Sequence, residues 1–343
     1  METRRFLWNG GLVLLGILSA VVVGYFTFLF FRPDFDIVEK YRTLFDGEIK
    51  NEPPVPPLGV MIENELLARP FQKGLSQAQV VYEAPTEAGI TRFLAIFVPG
   101  KVPEKLGPIR SARSYFLDWM HEWKGIYVHV GGHDDVLRRL VREDIFNADQ
   151  FTFEDYFWRE NVGKTSLEHT MFTSREVMEK LVADKGWVWE KPAHLNGTAQ
   201  PLVNFDSYPA AMKISIDFGF PTYRVGYDYD PATQRYLRTQ AKKPHVDQVN
   251  GEQIAPRIVV IQRVKSWSNG DAKLTISMKT IGEGSATIFQ QGRAIKGTWK
   301  KESLEAPTKF FDENGREVFL NSTPVWIEIL PLQNSFTFQA PDR

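Results

Sequence analysis

A single long apolar run near the start dominates the hydrophobic pattern of this chain. Residues Phe6–Phe31 contain no Asp, Glu, Lys, Arg or His, and a bilayer core needs about 20 helical residues. Arg4 and Arg5 precede the run, and positive charge favours the cytoplasmic side of a membrane. The pattern predicts a single-pass anchor in the cell membrane, with a cytoplasmic N-terminus and an extracytoplasmic body.

A cleaved signal peptide is the alternative interpretation of the same run. Its apolar region is normally about 7–15 residues long and ends at small residues. This run is longer and ends in Phe28-Leu29-Phe30-Phe31, so the sequence favours an anchor that stays attached.

Beyond the run, the apolar residues follow the shorter periods of strands and helices. A polar stretch that ends in Pro53-Pro54-Val55-Pro56-Pro57 predicts a spacer. Apolar runs bounded by Pro and Gly predict strands at 58–64, 80–84, 90–98 and 126–130. Helical spacing and one capping signature predict helices over 110–124, 134–144 and from about 173 to 186.

The second half of the chain is rich in strand patterns. Periodicity fades between residues 190 and 209 amid Pro, Gly and Asn, which predicts a domain boundary. Turn signals at Asn269-Gly270 and Asn314-Gly315 separate apolar stretches. Strands are predicted for 213–218, 223–229, 257–267, 272–281, 286–289 and 326–330.

The predicted fold class is α+β, in four parts. A cytoplasmic tip and transmembrane helix (1–32) are followed by a proline-rich spacer (33–57). A mixed α/β N-terminal domain (58–195) then precedes a β-rich C-terminal domain (205–332). This division agrees with the length of 343 residues, which suggests roughly two domains.

Composition excludes several classes of protein. The formal net charge is -1 and no long basic block occurs, so nothing favours nucleic acid as a partner. The chain contains no cysteine, which excludes disulfides, thiolate metal sites and a cysteine nucleophile. GxxxxGK[ST], GxGxxG and GxSxG are all absent, so we predict no cofactor and no nucleophilic serine.

Charged residues between Tyr82 and Gly132 lie in apolar, strand-like surroundings and predict a site. Glu83 and Glu87 could face one cleft as a catalytic acid and base, in the manner of glycosidases. Their alternative role is to neutralise arginines. The predicted ligand-binding residues are Glu63, Arg92, Arg110, Ser111, Arg113 and His129.

Two further observations limit the chemistry of this site. Arg110 and Arg113 follow Gly107-Pro108 at a predicted helix start, where an anionic ligand would be favoured. His129 and His133 are separated by Gly131-Gly132, so helical metal-ligand spacing is excluded and we predict no metal site. An internal pairing of the arginines with Glu63, Glu83 or Glu87 remains the alternative.

Three motifs resemble those of the YerB-like family of bacterial envelope proteins. They are Glu87-Ala88-Gly89-Ile90-Thr91-Arg92-Phe93, Gly107-Pro108-Ile109-Arg110-Ser111-Ala112-Arg113 and Tyr127-Val128-His129-Val130-Gly131-Gly132. Pro244-His245-Val246-Asp247 and Gly297-Thr298-Trp299-Lys300 extend the resemblance into the second half. The resemblance implies an α/β domain followed by a β-rich one, an envelope location and no settled activity.

The chain departs from that family in two respects. Many relatives carry a lipidated cysteine, whereas this chain has the apolar run. Relatives tend to have His-Asn where this chain has His169-Thr170. The leading functional hypothesis is a protein that binds an anionic ligand, such as peptidoglycan or a wall-synthesis protein, in a Glu/Arg-lined cleft. A wall-glycan hydrolase and a scaffold for wall-synthesis proteins are the alternatives, so enzymatic activity stays open.

Overall fold

The structure is a computed structural model, and it describes residues 56–340 except 99, 162, 164, 191, 193–204 and 321. The predicted transmembrane helix and most of the spacer lie outside these residues. Strands predominate in the described part, with three α-helices. The chain is therefore a strand-rich protein with both helices and strands, which agrees with the predicted mixture of α and β structure.

The first half alternates strands and helices. Its helices are α1 (Ser114–Met120), α2 (Asp134–Arg142) and α3 (Arg175–Lys185). Its strands are β1 (Leu58–Glu63), β2 (Val80–Pro85), β3 (Thr91–Phe97), β4 (Ile126–His129), β5 (Phe146–Asp149), β6 (Trp158–Arg159) and β7 (Met171–Phe172).

The second half contains strands and no α-helix among the residues described. The strands are β8 (Lys213–Asp217), β9 (Arg224–Asp230), β10 (Arg235–Gln240), β11 (Lys243–Pro244), β12 (Ile258–Val264), β13 (Ser266–Ser268), β14 (Ile276–Met278), β15 (Gly282–Gln290), β16 (Arg293–Lys301), β17 (Lys309–Asp312), β18 (Val325–Pro331) and β19 (Ser335–Gln339).

One ten-stranded sheet takes strands from both halves. Its order is β17-β16-β15-β12-β18-β2-β3-β1-β4-β5. The halves meet where β18 pairs in parallel with β2, with Val325 opposite Val80 and Glu328 opposite Glu83. A five-stranded sheet, β11-β10-β9-β8-β19, lies beside it.

Each face of the large sheet is covered by a separate part of the core. One face packs Tyr82, Trp119 and Tyr127 with Val260 and Trp299, so this core crosses from one half to the other. The opposite face packs α3 and the loops of the first half in one region, and the small sheet in another. Strands buried on both faces need continuous apolar runs, as the sequence of β12 shows.

The helix predicted over 110–124 begins later than expected. Residues 110–113 are extended, because Arg110 N donates to Met61 O and Ala112 N donates to Gly131 O. These bonds tie the segment to the ends of β1 and β4, and α1 begins at Ser114. The predicted strand over 272–281 is likewise reduced to β14, while α3 has Ser174 as its cap and ends before Gly186 as predicted.

Gly297 on β16 allows a neighbouring strand to approach closely. A Cβ atom built on Gly297 would lie 1.7 Å from the carbonyl oxygen of Phe311 on β17. We expect Gly297→Ala to lower the free energy of unfolding by about 1–3 kcal/mol, because strands must move apart to relieve the clash. Urea denaturation measures the change.

Thr298→Ala is the matched control, because Thr298 is the next residue on β16 and is exposed. Equal stability of the two variants would contradict the close approach of β16 and β17.

Candidate functional site

The predicted site residues gather where the parallel strands of the first half end. Strands β1, β2, β4 and β5 point the same way, and antiparallel β3 begins at their carboxyl ends. In open sheets of this kind, ligands bind outside the carboxyl ends of the strands. We call this region the carboxyl edge, comprising residues 63–69, 85–92, 109–114, 129–134 and 167–169.

Alternation along the strands assigns the candidate side chains to two faces. Arg92 is two residues before Leu94, and Glu63 is two residues after Met61; both apolar neighbours belong to the core that contains Trp119. Glu83 is paired with Phe93, which belongs to the core on the opposite face. The structure therefore separates Glu83 from the arginines of the first face.

Arg113 and Glu87 form a two-bonded ion pair. Nε of Arg113 donates to Oε1 of Glu87 at 2.6 Å, and Nη2 donates to Oε2 at 2.6 Å. Burial acts to raise the pKa of Glu87, but the hydrogen bonds and charge of Arg113 lower it overall. This carboxylate is thus held ionised, which suits a structural counterion better than a general acid.

A cavity of about 80 Å³ opens beside this pair. Its lining includes Glu87, Arg113 and His133 from the first half, and Asn269 and Ser277 from the β13–β14 hairpin. Nδ1 of His133 lies 3.9 Å from Oε1 of Glu87. Partial burial and the charge of Arg113 lower the pKa of His133, so its imidazole is neutral near pH 7.

Arg110 bridges two carboxylates. Its Nε is in ionic contact with Oε2 of Glu63, and its Nη2 donates to Oε2 of Glu168 at 2.7 Å. The Arg110 side chain is 24% exposed, so it borders solvent. The structure thus brings Glu63 and Arg110 together as a pair, with Glu168 as a third member.

Arg92 differs from its two neighbours. It is only 4% exposed, and Nη1 donates to the carbonyl oxygen of half-buried Ser111 at 2.8 Å. No ion pair joins it to a carboxylate in the described part of the chain, and its Nε has no hydrogen-bond partner there. Burial, and then the charge of Arg113, lowers the pKa of Arg92 to about 10.

Arg69 is a second guanidinium of this kind, which the sequence did not mark. Its Nε donates to the backbone and side-chain oxygens of Asn64 at 3.2 Å, and its Nη2 is buried without a hydrogen bond. The guanidinium lies 4.8 Å from the ring centre of Tyr223. Burial lowers the pKa of Arg69 and raises that of Tyr223 to about 12.

Unsatisfied buried polar atoms concentrate at the carboxyl edge. Such atoms are uncommon in folded proteins and each needs an explanation. Three lie here without any partner among the described residues: Arg69 Nη2, Arg92 Nε and His169 Nδ1. Glu63 Oε2 and Arg110 Nε form no regular hydrogen bond but are in ionic contact with each other. The edge therefore has bonding capacity that its own residues do not use.

Glu83 is the central acceptor of a buried hydrogen-bond network on the face of the sheet that contains Phe93. Its Oε2 accepts from Nη2 of Arg238 at 2.5 Å, and its Oε1 accepts from the Thr91 hydroxyl at 2.6 Å. Neither Glu83 nor Arg238 is exposed. Glu83 and Glu87 thus have different arginine partners, and the structure does not place them as one acid–base pair.

His129 is fully buried and has no nitrogen to spare. Its Nδ1 lies 2.8 Å from the Gly131 carbonyl oxygen, and its Nε2 lies 2.7 Å from Oδ1 of Asn147. Burial lowers the pKa of His129. Both nitrogens are thus engaged at the end of β4, and neither is free to contact a ligand.

Fold and site together define a mixed α/β protein with a charged ligand-site candidate at a sheet edge. Residues 46–188 match the model of the "Protein of unknown function (DUF3048) N-terminal domain", and residues 214–327 match that of its C-terminal domain. The chain belongs to this family, which confirms the resemblance seen in its sequence motifs.

Two relatives support the assignment. The "Putative lipoprotein YerB" of Bacillus subtilis (strain 168) is 30% identical over 285 residues, which cover 80% of this chain and 81% of YerB. The crystal structure of the YerB protein from Bacillus subtilis matches with a TM-score of 0.73 at 26% identity. That match covers 87% of this chain and 99% of the YerB chain.

The predicted membrane anchor lies outside the residues the structure describes. Within those residues, no helix has both the length and the apolar composition needed to cross a membrane. The anchor at Phe6–Phe31 therefore stays a prediction from sequence.

A buried carboxyl group, that of Glu328, lies opposite Glu83 on the neighbouring strand. Glu328 is fully buried and accepts a hydrogen bond from the Tyr227 hydroxyl. Burial, and then the charge of Glu83, raises its pKa well above the ordinary 4.5. As pH rises above 4.5, Glu328 loses its proton in the unfolded chain but keeps it in the folded chain. Stability then falls by about 1.4 kcal/mol per pH unit until the folded pKa is passed.

Gln cannot ionise, so we expect Glu328→Gln to gain stability relative to the parent as pH rises from 4.5 to 8. Urea unfolding at several pH values measures the difference. Glu302→Gln is the control, because Glu302 is 74% exposed, and it should track the parent. A constant difference between Glu328→Gln and the parent would show that Glu328 titrates normally.

Proposed function

We propose that this chain is an extracytoplasmic, membrane-associated protein of the bacterial envelope that binds an anionic ligand at its carboxyl edge. The lipoprotein name of the related YerB and the apolar run Phe6–Phe31 behind Arg4 and Arg5 support the location. Lipid attachment through a cysteine is excluded because this chain has none, so we assign the attachment to a single-pass helix.

The observation that carries the binding function is Arg92. A buried charge is normally paired, because its removal from water costs several kcal/mol. Arg113 forms an ion pair with Glu87, and Arg238 forms one with Glu83. Arg92, in contrast, donates only to a carbonyl oxygen among the described residues. A guanidinium left in this state is ready to accept an anion.

The neighbouring residues support the same conclusion. Arg110 contacts the carboxylates of Glu63 and Glu168 and is 24% exposed, so an anion from solvent can approach the edge near Arg92, on which the charge of Arg110 acts. A guanidinium offers two parallel N–H groups, which match a carboxylate or a phosphate. Peptidoglycan carries carboxylates and is exposed outside the membrane, so it is the ligand we favour.

No structural observation favours the hydrolase alternative. Paired glycosidase carboxylates act from the two sides of one bond, whereas Glu83 lies within β2, Glu87 lies in the turn after it, and each is bonded to a different arginine. Hydrolysis, if it occurs, would release soluble fragments from purified sacculi.

Arg92→Met tests the anion site directly. The change removes an unpaired buried charge, so we expect the melting temperature without ligand to stay the same or to rise. Acetate and phosphate should raise the melting temperature of the parent above that in chloride at equal ionic strength. This rise should be lost in Arg92→Met.

Two further variants serve as controls for Arg92→Met. Arg113→Met leaves Glu87 without its partner and should lower the melting temperature, which marks a structural arginine. Arg224→Gln changes an arginine that is 54% exposed and should keep the response to anions. If Arg92→Met melts lower and keeps the response, then Arg92 is a structural residue and the proposed site is wrong.

Purified sacculi test the ligand. We expect the full chain in detergent to be retained on sacculi at low salt. Retention should weaken as salt rises, because salt screens the exposed charges around the edge, and it should weaken in Arg92→Met, because the substitution removes the charge that meets the anion. Gel analysis of pellets measures retention, and chromatography of supernatants measures any release of fragments.

Fragments that disappear in Glu87→Gln would establish the hydrolase instead. Absence of both retention and release would exclude peptidoglycan and leave the scaffold hypothesis.

A further inference from the structure

An acidic hollow adjoins the arginines of the carboxyl edge. We define it by Glu63, Glu65, Glu168 and His169. Nδ1 of His169 lies 3.8 Å from Oε2 of Glu63, while Nε2 lies 3.6 Å from Oε2 of Glu65 and 3.8 Å from Oε1 of Glu168. All three distances exceed hydrogen-bond length, so the imidazole is surrounded by carboxylates without being bonded to them.

The charges of the hollow do not balance. Arg110 contacts Glu63 and Glu168, whereas Glu65 is in ion-pair contact with no lysine or arginine of the described residues. Three carboxylates thus face one guanidinium in contact with them. The hollow therefore favours a further positive charge, unlike the position of Arg92, which favours a negative one.

One buried atom of the hollow lacks a partner in the described part of the chain. It is Nδ1 of His169, a residue that is only 4% exposed, whereas Oε2 of Glu63 is in ionic contact with Arg110. A carboxylate accepts several hydrogen bonds, so a donor placed between His169 Nδ1 and the Glu63 carboxylate could bond to both. The described histidine and acidic residues form no grouping suited to a metal ion, whereas an ammonium group brings three N–H donors and a positive charge.

We propose that the ligand of the carboxyl edge is a zwitterion of the amino-acid class. Its ammonium group occupies the acidic hollow, and its carboxylate meets Arg92. Arg110 links the two positions, because it contacts Glu63 of the hollow and its charge acts on Arg92. This inference rests on the proposed anion site and adds the amine as the second recognised group.

A series of small compounds tests the inference with the full chain in detergent micelles. Glycine, β-alanine and 4-aminobutyrate place the ammonium at increasing distances from the carboxylate, and their N-acetyl forms keep the carboxylate alone. Ligand-observed NMR titration gives the dissociation constants. We expect at least one amino acid to bind about tenfold or more tightly than its N-acetyl form, which corresponds to one charge-assisted contact.

Variants assign the two ends of the ligand. The double variant Glu65→Gln/Glu168→Gln should remove the preference for the free amine and leave the affinity for the N-acetyl compound unchanged. Both residues are partly or largely exposed, so the fold should tolerate the change. Arg92→Met should weaken both kinds of compound, and Glu302→Gln should weaken neither.

Equal binding of every amino acid and its N-acetyl form would overturn the inference, as would the absence of binding by all of them. The response to acetate and phosphate decides the proposed function separately. If that response is lost in Arg92→Met while the amine preference is absent, the anion site stands and the ammonium position is wrong.

Discussion

The ion pair between Arg238 and Glu83 is the interaction on which the rest of the structure depends. Its members are 155 residues apart in the chain, and both are fully buried. The guanidinium lies 4.5 Å from the ring centre of Trp326 on β18 and also donates to the Tyr227 hydroxyl. Each partner would be an uncompensated buried charge without the other, a loss of about 3–5 kcal/mol. This requirement fixes β10, β2 and β18 in one arrangement.

That arrangement in turn determines the polarity of the carboxyl edge. With Glu83 committed to Arg238, it is not available to the arginines on the opposite face of β2 and β3. Glu63 and Glu87 are likewise engaged by Arg110 and Arg113. Arg92 therefore has no carboxylate in contact, and the capacity of the edge to take an anion follows from how the carboxylates are distributed.

The sequence predicted well those features that depend on neighbouring residues. Apolar runs located β1, β3, β12 and β18, and the Ser174 and Gly186 signals located α3. It did not predict β10, β16 or β19, because these segments alternate polar and apolar residues instead of forming the apolar runs that marked the other strands. Such alternation is the pattern of a half-buried strand, so a period of two residues is the signal that could have found them.

The candidate site shows the same division. The segment around Arg110 and Arg113 was recognised because its charges lie close together beside a turn. Arg238 could not be found in this way, because nothing within its own strand marks it as the partner of Glu83. The spacing of Glu83 and Glu87 suggested a shared cleft, but in the structure each is bonded to a different arginine. Neither Arg69 nor His169 lies near Arg110 in the sequence, so only the fold brings them to the site.

The shared ten-stranded sheet has a consequence for how the protein can be divided. Removal of residues 205–340 would uncover the hydrogen-bonding groups of β2 that now meet β18, together with the apolar surface beneath Tyr82 and Trp119. Naked strand edges of this length recruit other chains and promote aggregation. Neither half is therefore expected to fold by itself. A gene fusion or proteolytic cut that separated the halves would yield fragments that aggregate instead of two folded domains.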